Sequence, residues 1–340
     1  MKLERKRNPP KPTVELLSTG CTPLDLALGG GLAWSKVVNV VGDKSTGKTL
    51  LVAEIIAQAK LKYGDDFDWE YDDAESGFSF DTKSMYGIDM LPEDDYHSIT
   101  IEDFMYRVAS KTAEAKLKGI KRFIYVVDSF DALTSEAELA RGEKARKARE
   151  AGKAYEEGTY NLEKQRKVNE FFRTGLDNIY NNQYMLIVIS QVRQKIGVIF
   201  GKKTTRQLEK VLDFFSSQII FLSETEKQKQ KGRVTGIGVK AKIEKNKIGK
   251  PFRECFFNIL FDYGIDDIAS CVDQIYSLKT DTGKTKMAIS VQWSGTTYRS
   301  RSRLIQSIDD NNQSGTIRKQ AIKKWNEIEN SITPKRKSKY

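Results

Sequence analysis

The chain has little of the residues that build zinc sites and disulfide frameworks. Its 340 residues include one histidine, His97, and three cysteines, Cys21, Cys255 and Cys271, which are widely separated. These residues show neither paired nor metal-ligand spacing, so we expect no zinc centre and no disulfide framework. A single histidine without a nucleophile in a suitable sequence context also argues against Ser-His-Asp and Cys-His enzymes.

Long apolar runs are absent as well. The longest candidates, residues 123–127 and 184–189, are the size of strands and far below the roughly 20 residues that cross a bilayer. Residues 1–12 carry five Lys or Arg but lead into no apolar segment of a secretory signal. We therefore expect no membrane span and a cytoplasmic protein.

Basic charge is in excess and unevenly distributed. The chain has 57 Lys and Arg against 46 Asp and Glu, a net charge of +11. The last 70 residues hold 14 Lys or Arg and only 6 Asp or Glu, which accounts for +8 of that charge. Such a block favours a nucleic-acid partner, with a merely solvated face as the alternative.

Short apolar runs alternate with helical patterns along most of the chain. A predicted strand at residues 37–41 leads through a glycine-containing turn into a predicted helix at 48–62. Four more strands are predicted at residues 67–71, 123–127, 184–189 and 218–222, and a hairpin at 239–243 and 254–260. Alternation of this kind predicts an α/β fold, with a mainly parallel sheet flanked by helices.

The pattern predicts three regions. Residues 1–32 form an N-terminal tail and the segment leading into the core, 33–268 form the core, and 269–340 form a small, basic α+β domain. In the last region we expect strands around Trp293 and Tyr298 and a helix over 317–328. Residues 136–170 are dense in both charge signs, which favours a solvated helix over a functional one.

The strongest motif is G-x-x-x-x-G-K-T, at residues 42–49, between a predicted strand and a predicted helix. Its glycines let backbone N–H groups wrap a phosphate at a helix N-terminus, and Lys48 would hold the β- and γ-phosphates. Thr49 would bind Mg²⁺ through its hydroxyl. The predicted ATP-binding residues are Gly42, Asp43, Lys44, Ser45, Thr46, Gly47, Lys48 and Thr49.

Carboxylates follow two of the predicted strands. Asp128 ends the strand at 123–127 and is the predicted partner of Thr49 in holding Mg²⁺. Asp72, Asp73 and Glu75 follow the strand at 67–71, at the sheet edge where α/β proteins bind ligands. Spacing alone does not choose which of the three positions the attacking water.

Several segments resemble the RecA recombinases, among them the divergent forms that phages carry. The matching segments are residues 18–20 with 24–30, 73–75, 128–129, 190–193, 195–201, and 245–248 with 251–252. The resemblance extends from residue 17 to about residue 272 and implies a P-loop RecA-like core.

The resemblance also implies residue roles. It favours Glu75 as the residue that activates water, Gln191 as the sensor of the γ-phosphate, and Lys245 and Lys247 as residues that complete the ATP site of a neighbouring protomer. The implied DNA-binding residues are Arg166, Arg173, Arg193, Lys195, Gly197, Val198, Ile199, Phe200, Lys202, Lys203 and Arg206.

The sequence departs from the family pattern in two places that bear on binding. Where an aspartate and a tyrosine contact adenine, this chain has Ser79 and Thr82, with Phe78 or Phe80 nearby as stacking substitutes. In place of an acidic tail it has a basic carboxyl end, which we interpret as a site for duplex DNA.

We therefore expect a DNA-dependent ATPase, with ATP and Mg²⁺ as cofactors, that forms filaments on single-stranded DNA and catalyses strand exchange. Expected partners are single- and double-stranded DNA, further copies of the chain, and a single-strand-binding protein. A ring helicase of the same core fold and an ATP-binding recombination accessory are the alternatives.

The basic carboxyl end yields a first prediction. Deleting residues 333–340, which include Lys335, Arg336, Lys337 and Lys339, removes cations that displace counterions from duplex DNA. We expect weaker duplex binding and a flatter dependence of affinity on salt, measured by anisotropy titrations at several salt concentrations. An unaltered salt slope would contradict this role.

Overall fold

The computed structural model describes residues 14–91, 96–152, 161–194, 204–286 and 289–334. The strands are β1 (Leu16–Leu17), β2 (Leu32–Ala33), β3 (Lys36–Gly42), β4 (Phe67–Asp72), β5 (Arg122–Val127), β6 (Gln183–Gln191), β7 (Arg193–Gln194), β8 (Thr204–Thr205), β9 (Gln218–Gln230), β10 (Arg233–Asn246), β11 (Glu254–Leu260), β12 (Gly264–Asp266), β13 (Val291–Trp293) and β14 (Thr296–Tyr298). The helices are α1 (Thr22–Leu28), α2 (Lys48–Tyr63), α3 (Thr82–Tyr86), α4 (Ile101–Leu117), α5 (Glu136–Glu150), α6 (Asn161–Thr174), α7 (Asp177–Asn181), α8 (Glu209–Phe215), α9 (Asp267–Ile275), α10 (Arg301–Asp310) and α11 (Ser314–Ile332), with a 3-10 turn at Gly64–Asp66.

An eight-stranded sheet forms the centre of the molecule, in the order β12-β11-β10-β9-β3-β6-β5-β4. The five strands from β9 to β4 are parallel, and β10, β11 and β12 extend the sheet with antiparallel pairs. Three two-stranded pairs, β1-β2, β7-β8 and β13-β14, lie outside it. The predicted α/β class and the five predicted core strands are confirmed.

Alternating side chains of the parallel strands fill two apolar layers. In β5, Ile124 and Val126 pack with α1 and α2, whereas Phe123, Tyr125 and Val127 pack with α4, α6, α7 and α8. A strand covered on both faces has no solvated side, which explains why these strands appear in the sequence as continuous apolar runs.

The predicted strand at 218–222 is only the first part of β9, which runs on to Gln230 and pairs with β10. Sequence reasoning missed this extension because the residues after Leu222 are polar. The turn between the two strands, Lys231 (φ 47°) and Gly232 (φ 79°), has two positive φ values, as a two-residue hairpin turn requires. The sequence signal for this hairpin was the pair Lys231-Gly232 between the two strands.

A third apolar cluster is built from residues 271–321, around Trp293 and Leu304. The expected strands near Trp293 and Tyr298 are β13 and β14, and the expected helix is α11. The division into three domains stays a prediction. Helix α5 has no buried side chain, which agrees with the solvated helix that the charge pattern favours. Among the described residues, no helix has the length and apolar character that a membrane crossing requires.

Candidate nucleotide-binding site

The loop between β3 and α2 has no room for a side chain at Gly42 or at Gly47. A Cβ on Gly42 would lie 2.5 Å from the Thr46 hydroxyl oxygen and 2.9 Å from the Leu222 carbonyl oxygen. Gly47 has a φ of +84°, and a Cβ there would lie 2.3 Å from the Ile259 side chain. No side chain caps the N-terminus of α2, so its first N–H groups are available to an anion.

Lys48 lies at the start of α2 and is 8% exposed. Its Nζ donates to the carbonyl oxygen of Asp43 (2.8 Å), so the side chain folds back over the loop. Burial lowers the pKa of Lys48, and the nearby carboxylates of Asp128 and Glu75 oppose that shift. The Lys48 ammonium is therefore held over the loop by the Asp43 carbonyl oxygen. Phosphate oxygens bound there would replace that carbonyl as its hydrogen-bond partner.

The Asp128 carboxylate, at the end of β5, accepts two hydroxyl hydrogen bonds at one oxygen. Thr49 donates to Oδ2 at 2.6 Å and Tyr71 donates to Oδ2 at 2.8 Å. Burial raises the pKa of Asp128, and these two donors lower it. Thr49 and Asp128 therefore meet as the motif predicts, whereas the Tyr71 contact was not expected because its sequence position indicates only a buried strand.

Glu75 contacts Gln191, the last residue of β6. Gln191 donates from Nε2 to Glu75 Oε1 at 2.6 Å, and the Ser129 hydroxyl donates to the same oxygen. The backbone N–H of Glu75 donates to the carbonyl of Asp128 at 3.2 Å. The structure thus brings together the two residues to which the resemblance gives hydrolytic and sensing roles.

The other two carboxylates after β4 have different partners. Asp72 is fully buried and accepts from the Tyr125 hydroxyl (2.7 Å) and from the Ser98 backbone (2.7 Å). Asp73 accepts from the backbone N–H of Phe78 (2.8 Å) and so closes the turn that carries Glu75. These contacts make Asp72 and Asp73 supports of the site.

A cavity of about 220 Å³ lies beside the P-loop, between it and the turn after β4. Its lining comprises residues 45–50, Asp73, Glu75, Gly77, Phe78, Phe80 and Asp128. The rings of Phe78 and Phe80 meet edge to face at 5.6 Å. Thr82 is 5% exposed, and its hydroxyl accepts from the Met90 backbone, so the two phenylalanines are better placed than Thr82 to contact a base.

His97, expected to stand apart from any nucleophile, lies with Nε2 3.3 Å from the Ser76 hydroxyl oxygen. Both residues line a neighbouring cavity of about 310 Å³ that shares Asp73 and Phe78 with the cavity beside the P-loop.

Lys245 and Lys247 do not line the cavity beside the P-loop. Lys245 Nζ donates to the carbonyl oxygens of Asp213 and Phe214 (3.0 Å for Phe214), at the carboxyl end of α8. Lys247 is exposed. In this protomer Lys245 therefore caps a helix, and a role in a neighbour's site stays a prediction.

Three of the predicted DNA-binding arginines are exposed. Arg166 and Arg173 lie two turns apart on α6 and line an open groove of about 560 Å³ with Gln165, Asn169 and Glu170. Arg193 is exposed on β7. The predicted residues Lys195, Gly197, Val198, Ile199, Phe200, Lys202 and Lys203 lie outside the described residues.

Arg206 is buried in this arrangement, and its predicted contact with DNA stays a prediction. Arg206 is 5% exposed, forms an ion pair with Asp213, and stacks over the Phe221 ring at 5.3 Å. A guanidinium with these partners is not available to a phosphate. Its position in a cationic segment suggested a contact with DNA. In this protomer the ion pair with Asp213, seven residues later, holds the Arg206 side chain away from solvent.

The Tyr71 contact gives a prediction about Asp128. Tyr71→Phe keeps the buried ring but removes a hydrogen bond that lowers the pKa of Asp128. The carboxylate would then be protonated at a higher pH, so we expect the acid limb of Mg²⁺-dependent nucleotide binding to move to higher pH. At neutral pH the loss of affinity should be about threefold, on the scale of one hydrogen bond.

The measurement is titration with a fluorescent nucleotide over a series of pH values. Tyr106→Phe, at a tyrosine that is 74% exposed, is the matched control. If the acid limb is identical to that of the unaltered protein, the Tyr71 hydroxyl does not control the pKa of Asp128.

Comparisons with known proteins agree with this geometry. The family model of the RecA N-terminal domain matches residues 1–266. Protein RecA of Trichodesmium erythraeum is 29% identical over 276 residues, which cover 81% of this chain and 70% of that protein. Protein RecA of Acinetobacter baylyi is 30% identical over 268 residues, which cover 76% of this chain and 69% of that protein.

Among solved structures, the RadB recombinase is 22% identical, with a TM-score of 0.48, and the match covers 74% of this chain and 98% of that one. The family assignment rests on the family model, because it spans the P-loop, the Glu75 turn, the Asp128 strand and the Gln191 segment. The chain therefore belongs to the RecA family of recombination-related, ATP-binding proteins.

Proposed function

We propose that this protein is a DNA-dependent ATPase that assembles on single-stranded DNA and catalyses homologous pairing and strand exchange. The observation that carries the proposal is the contact between Gln191 and Glu75. Gln191 ends β6 beside the P-loop and is two residues from the exposed Arg193. One side chain therefore connects the nucleotide site with a cationic segment suited to DNA.

The donor set at the P-loop fits Mg-ATP. Lys48 provides a partly desolvated ammonium, and the bare N-terminus of α2 provides N–H donors. Thr49 and Asp128 provide two oxygen ligands that already lie 2.6 Å apart. When bound, Mg-ATP supplies the γ-phosphoryl group and the charge on which these residues act.

Glu75 is the residue we assign to water positioning. Glu75 is exposed, but its Oε1 is held by Gln191 and Ser129, so the carboxylate has a defined position at the edge of the cavity. A positioned carboxylate of this kind acts as an acceptor for the proton of an attacking water. Gln191 can exchange Glu75 for a phosphate oxygen as its partner, which gives the segment after β6 two arrangements.

Assembly would complete the site. Lys245 and Lys247 lie near the end of β10, where the ladder with β9 has an irregularity between Ile243 and Lys245. Lys247 is exposed, and within the described residues the hydrogen bonds of Lys245 go to carbonyl oxygens, so both are able to turn toward an anion on a second copy of the chain. Cations supplied in trans stabilise the charge that develops during phosphoryl transfer.

The first experiment measures ATP hydrolysis with and without single-stranded DNA and images the same samples by negative staining. We expect strong stimulation by DNA together with helical filaments. Stimulation with closed rings would instead assign a ring motor, and no turnover under either condition would assign an ATP-binding accessory.

The trans lysines give a separate prediction. We expect Lys245→Ala and Lys247→Ala each to lower DNA-stimulated turnover by at least about tenfold, while dilute protomers keep their affinity for nucleotide. Lys245→Ala should also cost about 0.5–1 kcal/mol of stability because it uncaps α8, whereas Lys247→Ala should not.

Steady-state turnover and thermal unfolding of both variants make the distinction. If turnover falls only in Lys245→Ala, in proportion to its loss of stability, the two lysines do not act together on a neighbouring phosphate.

A further inference from the structure

A short turn after β5 contacts the P-loop helix, the Glu75 turn and β6. Asp128 accepts from Thr49, and Ser129 donates to Glu75. Phe130 donates its backbone N–H to the carbonyl of Ile189 in β6 (3.0 Å). Asp131, in the same turn, has no role so far in the nucleotide site or in the DNA-binding set.

The two carboxylate oxygens of Asp131 take one donor each from two separate segments. Oδ2 accepts the backbone N–H of Gln191 at 2.7 Å, and Oδ1 accepts the backbone N–H of Gln207 at 3.1 Å. Gln191 precedes β7 and Gln207 follows β8, and these two strands pair with each other through Arg193 and Thr205. Asp131 therefore holds both sides of the β7-β8 pair at its base.

Further contacts strengthen the connection to Gln207. In the amide orientation that matches donors to acceptors, the Gln207 side chain donates to the carbonyl oxygen of Asp131 (3.2 Å) and accepts from Lys164. Lys164 is 4% exposed and also donates to the carbonyl of Leu133 at 2.6 Å. Lys164 belongs to α6, so the network reaches the helix that carries Arg166 and Arg173.

We infer that Asp131 is a positioning residue that transmits the state of Gln191 at the nucleotide site to the β7-β8 segment and its flanking cations. The inference rests on the proposed function and names a residue through which that function works. Because one carboxylate bridges the backbone N–H groups of Gln191 and Gln207, a backbone change at Gln191 that accompanies its exchange of partners displaces Gln207 with it. Without the bridge, Gln191 moves independently of β8 and Gln207.

The chemistry of the bridge separates it from simple packing. A carboxylate offers acceptors on both oxygens, whereas an amide of the same shape offers one acceptor and places an NH₂ against the other backbone N–H. Asp131→Asn therefore preserves volume but breaks one of the two contacts. Asp131→Glu keeps both acceptors on a longer side chain.

The test measures coupling between two ligands. The affinity for fluorescent single-stranded DNA is determined with and without a non-hydrolysable ATP analogue and Mg²⁺, and the ratio of the two affinities is the coupling factor. Nucleotide affinity is measured separately, because the Asp131 charge also contributes to the field at Lys48. We expect Asp131→Asn to lower the coupling factor by at least about tenfold while nucleotide affinity changes less than about threefold, and Asp131→Glu to recover part of it.

Asp310→Asn, the same substitution at an exposed position of α10, is the matched control. The core truncation Ile179→Val gives the effect of lowered stability alone. A coupling factor in Asp131→Asn equal to that of the unaltered protein, or lowered only as far as in Ile179→Val, would overturn the inference. If Asp131→Asn does not fold, Asp131→Glu decides by the same criterion against Ile179→Val.

The result also distinguishes this inference from the proposed function. If nucleotide leaves the DNA affinity of the unaltered protein unchanged, the proposed function fails. If the unaltered protein shows coupling and the Asp131 variants retain it in full, only the inference about Asp131 fails.

Discussion

The parallel register between β3 and β6 is the constraint on which the candidate site depends. It places Gly42 opposite Gln191, and the backbone N–H of Val192 donates to the Gly42 carbonyl at 3.2 Å. The first residue of the P-loop and the residue predicted to sense the γ-phosphate are thereby fixed to one another through backbone hydrogen bonds. A slip of one residue in this register would turn the Gln191 side chain to the other face of the sheet.

The parallel pairing of the neighbouring strands also positions the carboxylates of the site. Because β5 and β4 are also parallel to β6, their carboxyl ends meet at the same edge, and the N–H of Asp128 donates to the carbonyl of Asp72 at 2.9 Å. A buried set of contacts then anchors β4, the outermost strand: Tyr125 and Ser98 bind Asp72, and Arg107 pairs with Glu70. Buried charges of this kind are costly unless paired, so these partners stabilise the strand that carries Glu75.

Several of these features were predictable from the sequence. The buried parallel strands appear as uninterrupted apolar runs, and the P-loop motif predicts the strand-loop-helix unit at Gly42 to Thr49. The second half of β9 was not predictable in this way, because its side chains are polar and none of them is buried. They therefore show no alternation of apolar and polar residues. Strand pairing there is decided by the backbone and by the turn at Gly232.

The contacts of Tyr71, Ser129 and Asp131 were also beyond sequence reasoning, for a different reason. Each joins residues that are far apart in the sequence, and two of the partners of Asp131 are backbone N–H groups, which carry no signal in the sequence. Arg206 shows the converse case. Its type and neighbours suggest an exposed cation, but the ion pair with Asp213 and the Phe221 ring outweigh that tendency.

Lys245 illustrates how one side chain can serve the fold in a single protomer and the chemistry in an assembly. In the protomer it neutralises the carboxyl end of α8, where carbonyl oxygens have no partners within the helix. In the proposed trans arrangement it leaves those carbonyls for a phosphate, and the loss of about 0.5–1 kcal/mol at the helix end is offset by a charge-assisted hydrogen bond. Because α8 begins two residues after Gln207, this exchange would reach the same segment that Asp131 holds from the nucleotide side. In the proposed assembly the β7-β8 pair would therefore respond both to Asp131 within the protomer and to the partner that Lys245 takes on a neighbour.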